Sequence, residues 1–268
     1  MNLSSFRKRN FDKMGGGLAG RVALITNVST QFGYAIARKL AMSGAEVFVV
    51  DESQIATSRA VEALQAIGAK VLGGVYTVHS SHHRRAMLEL VENKFKQLDI
   101  LVINGEENTV KGDILDSTKM QVEQMYDRHL TTPFRMCQQS YPLLSKSENG
   151  SIILTSSVSA YTPFVDLGLY SATQTAVLGL VKALANSAGK HGVRVNSVCS
   201  GMVSGDGTGA VWSSASEDTE RQIKNMIPLG RVGRITECAG IVEFLASDRS
   251  KYITAENVVV SGGVSVRL

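Results

Sequence analysis

The residues that could carry acid–base chemistry lie around one tyrosine. Tyr170 opens a sequence pattern typical of a helix, and Ser157 ends the strand-like run before it. A phenol has a pKa near ~10, so it is an efficient acid at neutral pH only when a nearby cation stabilises the phenolate. Residues four apart share one side of a helix, so position 174 is one from which a cation could act on the phenol. It holds Gln174, which can donate a hydrogen bond but lacks the charge that would stabilise phenolate by ~3–4 kcal/mol at roughly 4–5 Å.

The elements that must position these side chains alternate along the chain. Short apolar runs are separated by longer amphipathic stretches, which predicts an α/β fold: one Rossmann-like, doubly wound parallel sheet with helices on both faces. The predicted strands are Val22–Thr26, Val47–Val50, Val71–Val75, Leu98–Ile103, Ser151–Thr155, Val193–Val198 and Asn257–Val260. The predicted helices are Gly33–Ser43, Ser58–Ile67, Arg85–Lys96, Met120–Leu143, Tyr170–Lys190 and Glu237–Ser247.

The pattern also predicts the domain organisation. No Pro- or Ser-rich linker and no repeat interrupts it, so residues 18–268 are expected to form one domain. Residues 1–17 are polar and basic and end in glycines, which is typical of a flexible lead rather than a targeting peptide. The stretch Ser204–Ile227 is rich in Gly and Ser and then charged, and we expect it to pass over an edge of the sheet.

Composition and charge exclude several classes of protein. The chain has 268 residues, 44% hydrophobic and 19% charged, with a net charge of +4, as in an ordinary soluble globular protein with a substantial core. The basic clusters Arg7–Arg9 and His82–Arg85 are short and lack interleaved aromatics, so nucleic-acid binding has little support. No apolar run approaches the ~18 residues of a membrane span.

The cysteines indicate the cellular compartment. Cys137, Cys199 and Cys238 lie far apart without metal-ligand spacing, which indicates buried thiols in a reducing compartment rather than a disulfide framework. A cytoplasmic location is favoured, and peroxisomal and mitochondrial locations are left open. The ending Ser265–Leu268 resembles a degraded peroxisomal tripeptide, with valine where a small residue is expected.

Motifs spread from about Leu18 to the end of the chain share the order and spacing of one enzyme family. They are Arg21–Thr26, Gly33 with Ala35–Leu40, Leu98–Asn104, Ser151–Ser157 with Tyr170, Arg194–Val198, Gly233–Asp248 and Tyr252–Gly263. Together they resemble the short-chain dehydrogenase/reductase family, and within it the carbonyl and retinal reductases that include a peroxisomal member. So many spaced matches indicate the fold where a single glycine motif would be weak.

The resemblance implies NAD(P)-dependent interconversion of a carbonyl and an alcohol. In that reaction Tyr170 would act as the acid and Ser157 would orient the substrate oxygen. The residues that would hold the cofactor are Asn27, Gly33, Asp51 and Asn104. The resemblance also implies a homodimer or homotetramer whose main interface is formed by the helices over Met120–Leu143 and Tyr170–Lys190.

Departures from the family pattern gather in the cleft. The family's cofactor turn, T-G-x-x-x-G-x-G, lets backbone amides approach the pyrophosphate; here it is Thr26–Gly33, with Asn27 and Gln31 at two glycine positions. Asn27 tolerates a positive φ, whereas Gln31 brings a side chain into the cofactor's path. The remaining departures are Gln174 for the lysine, His129 for the asparagine of the proton relay, Thr77 for the adenine-binding aspartate, Glu106 after the fourth strand, and Ser200 before Gly201. Together they predict a weakened or inactive member of the family, and the alternative is a binding or scaffolding protein.

Several candidate residues keep two interpretations. Asp51 ends the second strand, where an acid can bind the ribose hydroxyls and favour NAD(H) over NADP(H); alternatively it is a solvated acid, and no cofactor binds. For Ser157 and Tyr170 the alternative is inherited placement without use. Histidine as a residue type suits acid–base work near neutral pH, which makes His129 a catalytic candidate; a surface or helix-packing role is the alternative, since no carboxylate stands at a recognisable spacing. The loop histidines lack cysteine or acid at ligand spacing, so no metal site is predicted. These histidines are His79, His82 and His83.

Overall fold

Seven parallel strands form the central sheet. The computed structural model describes residues 17–105, 110–204 and 217–264. The strands of the sheet are β1 (Val22–Thr26), β2 (Glu46–Asp51), β3 (Val71–Val75), β4 (Ile100–Ile103), β5 (Ser151–Ser157), β6 (Arg194–Ser200) and β9 (Asn257–Val260). Their order is β3-β2-β1-β4-β5-β6-β9, and each neighbouring pair is parallel. The predicted doubly wound sheet is therefore confirmed, with its order reversing between β1 and β4.

Helices cover both faces of this sheet. They are α1 (Gln31–Met42), α2 (Gln54–Ala66), α3 (Ser81–Phe95), α4 (Lys119–Tyr126), α5 (Thr132–Leu144), α6 (Gly168–Ala188), α7 (Glu217–Met226) and α8 (Ile235–Ala246). Successive strand side chains point to opposite faces. Leu24 accordingly packs in the core layer with α3, α5 and α6, and Ile25 packs in the other with α1, α2 and α8. Because both faces are covered, all five residues of β1 are buried, which is why the strand reads as a continuous apolar run.

Capping serines start two helices one turn before their predicted bounds. Ser53 and Ser80 each accept a hydrogen bond from the amide three residues later, at 3.2 and 3.3 Å. These bonds satisfy amides of the first turn that lack an intrahelical partner. The apolar periodicity on which the prediction rested begins only after those turns.

The predicted continuous helix over Met120–Leu143 is interrupted at its centre. Between α4 and α5 the backbone widens into a π-helical turn over Asp127–Thr131. Pro133 has no N–H to donate to the carbonyl of His129 four residues earlier, and its ring crowds that carbonyl. The wider turn relieves this clash and carries His129 with it. Such turns are frequent at functional sites.

Some predicted segments fall partly or wholly outside the described residues. Of Ser204–Ile227, only the two ends are described, and β7 (Val203–Ser204) pairs in parallel with β8 (Gly233–Arg234). Residues 1–16, with their basic cluster, Glu106 and the C-terminal Ser265–Leu268 also lie outside. Within the described ranges, no helix is both long and apolar enough to cross a membrane.

Candidate active site

Asn104 joins the carboxyl ends of β1, β4 and β5. Its side-chain amide donates to Thr30 Oγ1 at 2.7 Å and to the Asn27 carbonyl at 3.2 Å. Its side-chain oxygen accepts from Thr155 Oγ1 at 3.2 Å, and its backbone N–H donates to Thr26 Oγ1 at 3.1 Å. The residue is only 3% exposed. Asn104 therefore anchors the turn after β1 in addition to standing where the family places its cofactor.

The turn after β1 keeps the backbone shape that glycines usually provide. Asn27 has a φ of 53°, which confirms that it adopts the left-handed region, and its side chain donates to the Asn104 carbonyl at 2.7 Å. A Cβ on Gly33 would lie 2.2 Å from the Asn27 carbonyl oxygen, so only glycine fits there. Thr30 caps α1 by accepting from the Gly33 amide at 3.0 Å. Gln31, at the first position of α1, is half-buried.

Asp51 holds the same turn from its other side. One carboxylate oxygen accepts from the Ser29 amide at 2.8 Å, and the other accepts from the Ser53 amide at 3.0 Å. Asp51 is 6% exposed, so its interpretation as a solvated strand-end acid is wrong. An ionised carboxylate offers about four acceptor positions, and these two bonds leave room for ribose hydroxyls.

Tyr170 and His129 are in contact. Their ring centroids lie 5.4 Å apart with an interplanar angle of 81°, an edge-to-face arrangement. His129 is buried in the π-helical turn, so its interpretation as a surface histidine is wrong and its packing role is observed. Tyr170 is half-buried in the first turn of α6. The structure thus brings the candidate acid and a titratable ring together.

Ser157 lies at the end of β5, on the segment that leads to Tyr170. Its hydroxyl oxygen accepts from the Ser159 amide at 3.1 Å and so caps the short 3-10 turn Val158–Ala160. Thr175 Oγ1 donates to the Ala160 carbonyl at 2.7 Å, which fastens α6 to that turn. The Ser157 hydroxyl proton can still donate to a ligand. That the Ser157 and Tyr170 hydroxyls meet at one substrate oxygen stays a prediction.

Gln174 faces a small internal cavity rather than open solvent. It is 4% exposed and lines a space of about 30 Å³ together with Asn104, Arg128, His129 and Thr155. A space of this size has room for one or two water molecules. The position where the family has a charged ammonium is therefore a buried, uncharged amide beside a water-sized cavity.

Three functional residues were not predicted. Thr30 and Thr155 both bind Asn104, and Arg128 lines the cavity beside Gln174. Two of them could have been found from the sequence. Thr30 comes shortly before a helical pattern, which makes it an N-cap candidate, and Thr155 shares a strand face with Ser157. Arg128 could not have been found, because its place depends on the π-helical turn.

The prediction of a loop around the three histidines was wrong for two of them, since His82 and His83 lie in the first turn of α3. The neighbouring side chains bind other protein groups. The Thr77 hydroxyl hydrogen-bonds the Glu52 carboxylate, and the Thr77 amide donates to His83 Nδ1 at 3.1 Å. His79 Nδ1 lies 3.0 Å from Thr132 Oγ1. Across the described part of the chain, no three His, Cys, Asp or Glu side chains are arranged to hold a metal ion.

The predicted buried thiols are confirmed. The three cysteines are free and buried, and burial raises the pKa of Cys137 to about 12 and that of Cys238 to about 11. Burial also raises the pKa of Cys199. Thiols with such pKa values are unreactive at neutral pH, because the thiolate is the nucleophile.

Comparison with known proteins agrees with the fold. Residues 29–265 match the family model described as Enoyl-(Acyl carrier protein) reductase. Dehydrogenase/reductase SDR family member 4 of Oryctolagus cuniculus is 36% identical over 251 residues, 94% of this chain and 96% of that protein. The Homo sapiens protein of that name is 34% identical over 94% of this chain and 90% of its own length.

Solved structures agree as well. A mutant of a Serratia marcescens short-chain dehydrogenase/reductase has a TM-score of 0.84 and 28% identity, covering 93% of this chain and 99% of that one. The crystal structure of gox2181 has a TM-score of 0.87 and 27% identity, covering 93% and 97%. The parallel sheet and its tight first turn define a Rossmann-like α/β protein. The chain belongs to the short-chain dehydrogenase/reductase family, an oxidoreductase family whose membership implies a nicotinamide cofactor.

Proposed function

We propose that this chain keeps the family's arrangement for NAD(P)-dependent carbonyl–alcohol interconversion but performs that reaction weakly or not at all. The observation that carries the proposal is Gln174, a buried neutral amide where the reaction needs a cation near Tyr170. Without that cation, the phenol keeps most of its ordinary resistance to losing a proton. The resemblance to carbonyl and retinal reductases makes ketones and aldehydes the substrates to test.

The residues around the turn fit a dinucleotide in backbone shape. Asn27 supplies the positive φ of the turn, and Gly33 leaves room for the Asn27 carbonyl oxygen to approach the start of α1. The Asn104 side chain binds that carbonyl and so fixes the turn relative to β4. Asp51 would bind the ribose hydroxyls with its remaining lone pairs. When bound, the nicotinamide group supplies the hydride. Gln31 is the residue that fits least, since it adds a side chain beside the pyrophosphate position.

In this proposal the chain's own groups have limited roles. Ser157 donates a hydrogen bond that orients the substrate oxygen. The Tyr170 hydroxyl donates a proton to that oxygen as the carbonyl is reduced. Gln174 and the cavity beside His129 can pass a proton through water but cannot stabilise phenolate by charge. The expected result is a turnover below ~1 s⁻¹ on ordinary ketones and aldehydes, under the usual enzyme range, and a rate at or above it would contradict the proposal.

Cofactor choice is a second part of the proposal, and it rests on Asp51. A carboxylate at the end of β2 repels a 2′-phosphate, so we expect NADH to bind at least ~10-fold more tightly than NADPH. Thermal-shift titration measures this directly, because a ligand at 100 times its Kd stabilises a protein by ~2.7 kcal/mol. Asp51→Asn should reduce the preference for NADH over NADPH. The control is Glu52→Gln, which removes the charge of the exposed neighbouring acid and should leave that preference unchanged. Tighter or equal NADPH binding would show that Asp51 does not select the cofactor.

A non-catalytic binding or scaffolding role is the second candidate. It is favoured by a groove between α5 and α6 with exposed small residues and apolar walls. The lining includes Leu130, Phe134, Gly179, Leu180 and Ala183. This is the face on which the family resemblance places the interface of a homodimer or homotetramer. Failure to bind either dinucleotide, together with a stable oligomer, would favour this role over the enzymatic one.

The proposed location is the cytoplasm. Its support is chemical: all three thiols are free and buried, as expected of a protein in a reducing compartment. Peroxisomal and mitochondrial locations remain the alternatives. Fluorescence imaging of the full chain tagged at one end and then at the other distinguishes them, since a terminal address is masked by a tag on its own end.

A further inference from the structure

A second concave surface borders the candidate active site at the turn after β1, where Val28–Gln31 line it, and extends away from that site. It starts at the turn before α1, follows α1 between α2 and the first turn of α8, and encloses about 930 Å³. None of the predicted cofactor residues Asn27, Gly33, Asp51 and Asn104 lines it. We call it the α1 groove. Its volume lies within the range of small-molecule sites, about 300–1,000 Å³.

Four cationic side chains line the α1 groove, and no acidic side chain of the described residues does. The cations are Arg38 and Lys39 of α1, Arg59 of α2, and Arg234 at the start of α8. Arg38, with Tyr34 and Met42, recurs at helical spacing, so these side chains share the face of α1 that borders the groove. Like charges around one concavity repel one another, and an anion bound among them removes that repulsion.

The four cations lack ion pairs with any described carboxylate, in contrast to several other basic residues of the chain. Arg249 pairs with Glu243 at 2.7 Å, and Lys146 pairs with Glu92 at 3.0 Å. The acid nearest in sequence to the groove's Arg234 is Glu237, and it is already bound. Both of its carboxylate oxygens accept from Arg231 at 2.8 Å, which is the main reason that its pKa is lowered to about 2. Glu237 is thus shared between Arg231 and Arg234, and its single negative charge leaves the groove with a net positive charge.

Small residues leave the space that the cations border. Ala56, Ala60 and Ala63 face the groove from α2, and Ala239 and Gly240 face it from α8. Larger side chains at these positions would fill the recess. The result is a recess with small apolar walls and guanidinium groups at its rim, and guanidinium binds phosphate through paired hydrogen bonds.

We propose that the α1 groove binds a small molecule carrying two or more phosphate groups, held by cations that lie apart from the predicted cofactor residues Asn27, Gly33, Asp51 and Asn104. A molecule rather than a nucleic acid is favoured because the surface is a bounded recess, whereas a nucleic acid follows an extended basic track with aromatic residues. The phosphates contact Arg38, Arg59 and Arg234, and the rest of the ligand lies on the alanine wall. Binding here does not require that hydride transfer be active.

The test uses inorganic tripolyphosphate as the probe and isothermal titration calorimetry on the full chain. The double variant Arg38→Gln/Arg59→Gln should weaken binding at least ~10-fold, because each removes a charge in contact with phosphate. The matched control, Lys182→Gln/Lys190→Gln, removes the same charge from exposed positions on and just after α6 and should change the Kd less than ~2-fold. Binding should also weaken steeply as the salt concentration is raised from roughly 0.05 M to roughly 0.5 M, because salt screening shortens the reach of each charge.

Three outcomes would overturn the proposal. The first is no binding of tripolyphosphate to the unmodified protein. The second is an equal loss in both double variants, which would show a response to net charge only. The third is unchanged affinity in the arginine variant, which would place the anion away from these cations, for instance among the predicted cofactor residues Asn27, Gly33 and Asn104. All four substituted side chains are exposed, and thermal unfolding without ligand checks that both variants fold. Ketone turnover is measured separately, so failure here is distinct from failure of the proposed reaction.

Discussion

Gln174 and His129 show how two substitutions change one proton site. The family arrangement around Tyr170 has a lysine and an asparagine, and here Gln174, a neutral amide, stands for the lysine and His129, an imidazole, stands for the asparagine. The imidazole ring is in edge-to-face contact with the phenol, 5.4 Å between centroids. An amide cannot lower the pKa of a phenol by charge, and a buried imidazole can do so only when it is protonated.

The first prediction at this scale concerns restoration of activity. Gln174→Lys alone should raise ketone reduction only slightly, because Gln31 still stands in the pyrophosphate path. Adding Asn27→Gly and Gln31→Gly should recover cofactor binding first and turnover second, by about 100-fold or more, the usual contribution of acid–base catalysis. Steady-state kinetics and a cofactor titration on the single and triple variants measure the two steps separately. Full activity in the unmodified protein would instead mean that Gln174 or His129 replaces the lysine.

Some residue placements followed from the sequence and others did not. The positive φ at Asn27 and the need for Gly33 were predictable because a tight strand-to-helix turn imposes them locally. The burial of Asp51 was not predictable, because its partner, the Ser29 amide, belongs to a different loop. Contact between His129 and Tyr170 depends on the π-helical turn, and local periodicity does not reveal one.

Among the elements, the turn between β1 and α1 is the most tightly specified. The Asn104 side chain binds it from β4, the Asp51 carboxylate binds it from β2, and Thr30 caps the helix that follows. These bonds set the distance between the sheet and α1 without any ligand. The turn is thus a structural element in its own right.

A substitution at the closest contact of this turn tests that conclusion. Gly33→Ala would place a Cβ 2.2 Å from a backbone oxygen, and we expect a loss of at least ~2 kcal/mol in the free energy of unfolding. The matched control is Gly240→Ala in α8, where an added Cβ meets nothing within 4 Å. It should stabilise the protein by roughly 0.5–1 kcal/mol, because alanine is the better helix former. Urea unfolding of both variants provides the comparison, and equal stabilities would show that the turn adjusts freely.

Strands were easier to predict than helix bounds. A strand buried on both faces is a continuous apolar run, and β1, which is buried throughout, has the predicted limits. Ser53 and Ser80, in contrast, extend their helices through side-chain hydrogen bonds that apolar periodicity does not reveal. The break in the helix over Met120–Leu143 follows from one residue, Pro133, whose ring the adjoining turn accommodates.

At the scale of the whole molecule, the groove between α5 and α6 leads to a prediction about assembly. We expect a homodimer or homotetramer joined across this groove. Gly179→Arg would place a bulky charge there and should at least halve the molar mass in solution, because an unpaired charge is costly to bury. Gly189→Arg, just beyond α6 with open space around it, is the control. Size-exclusion chromatography with light scattering measures both variants, and an unchanged mass for Gly179→Arg would contradict an interface at this groove.

The bonds that Asn104 makes also bear on how this lineage can evolve. Its partners are all within the chain, so a descendant that stopped transferring hydride would still be selected to keep Asn104, since losing it would loosen three strand ends at once. Position 174 has no such second duty, because its side chain borders a water-sized cavity. The turn can therefore be kept for folding alone, whereas the residue at 174 can change with the chemistry alone.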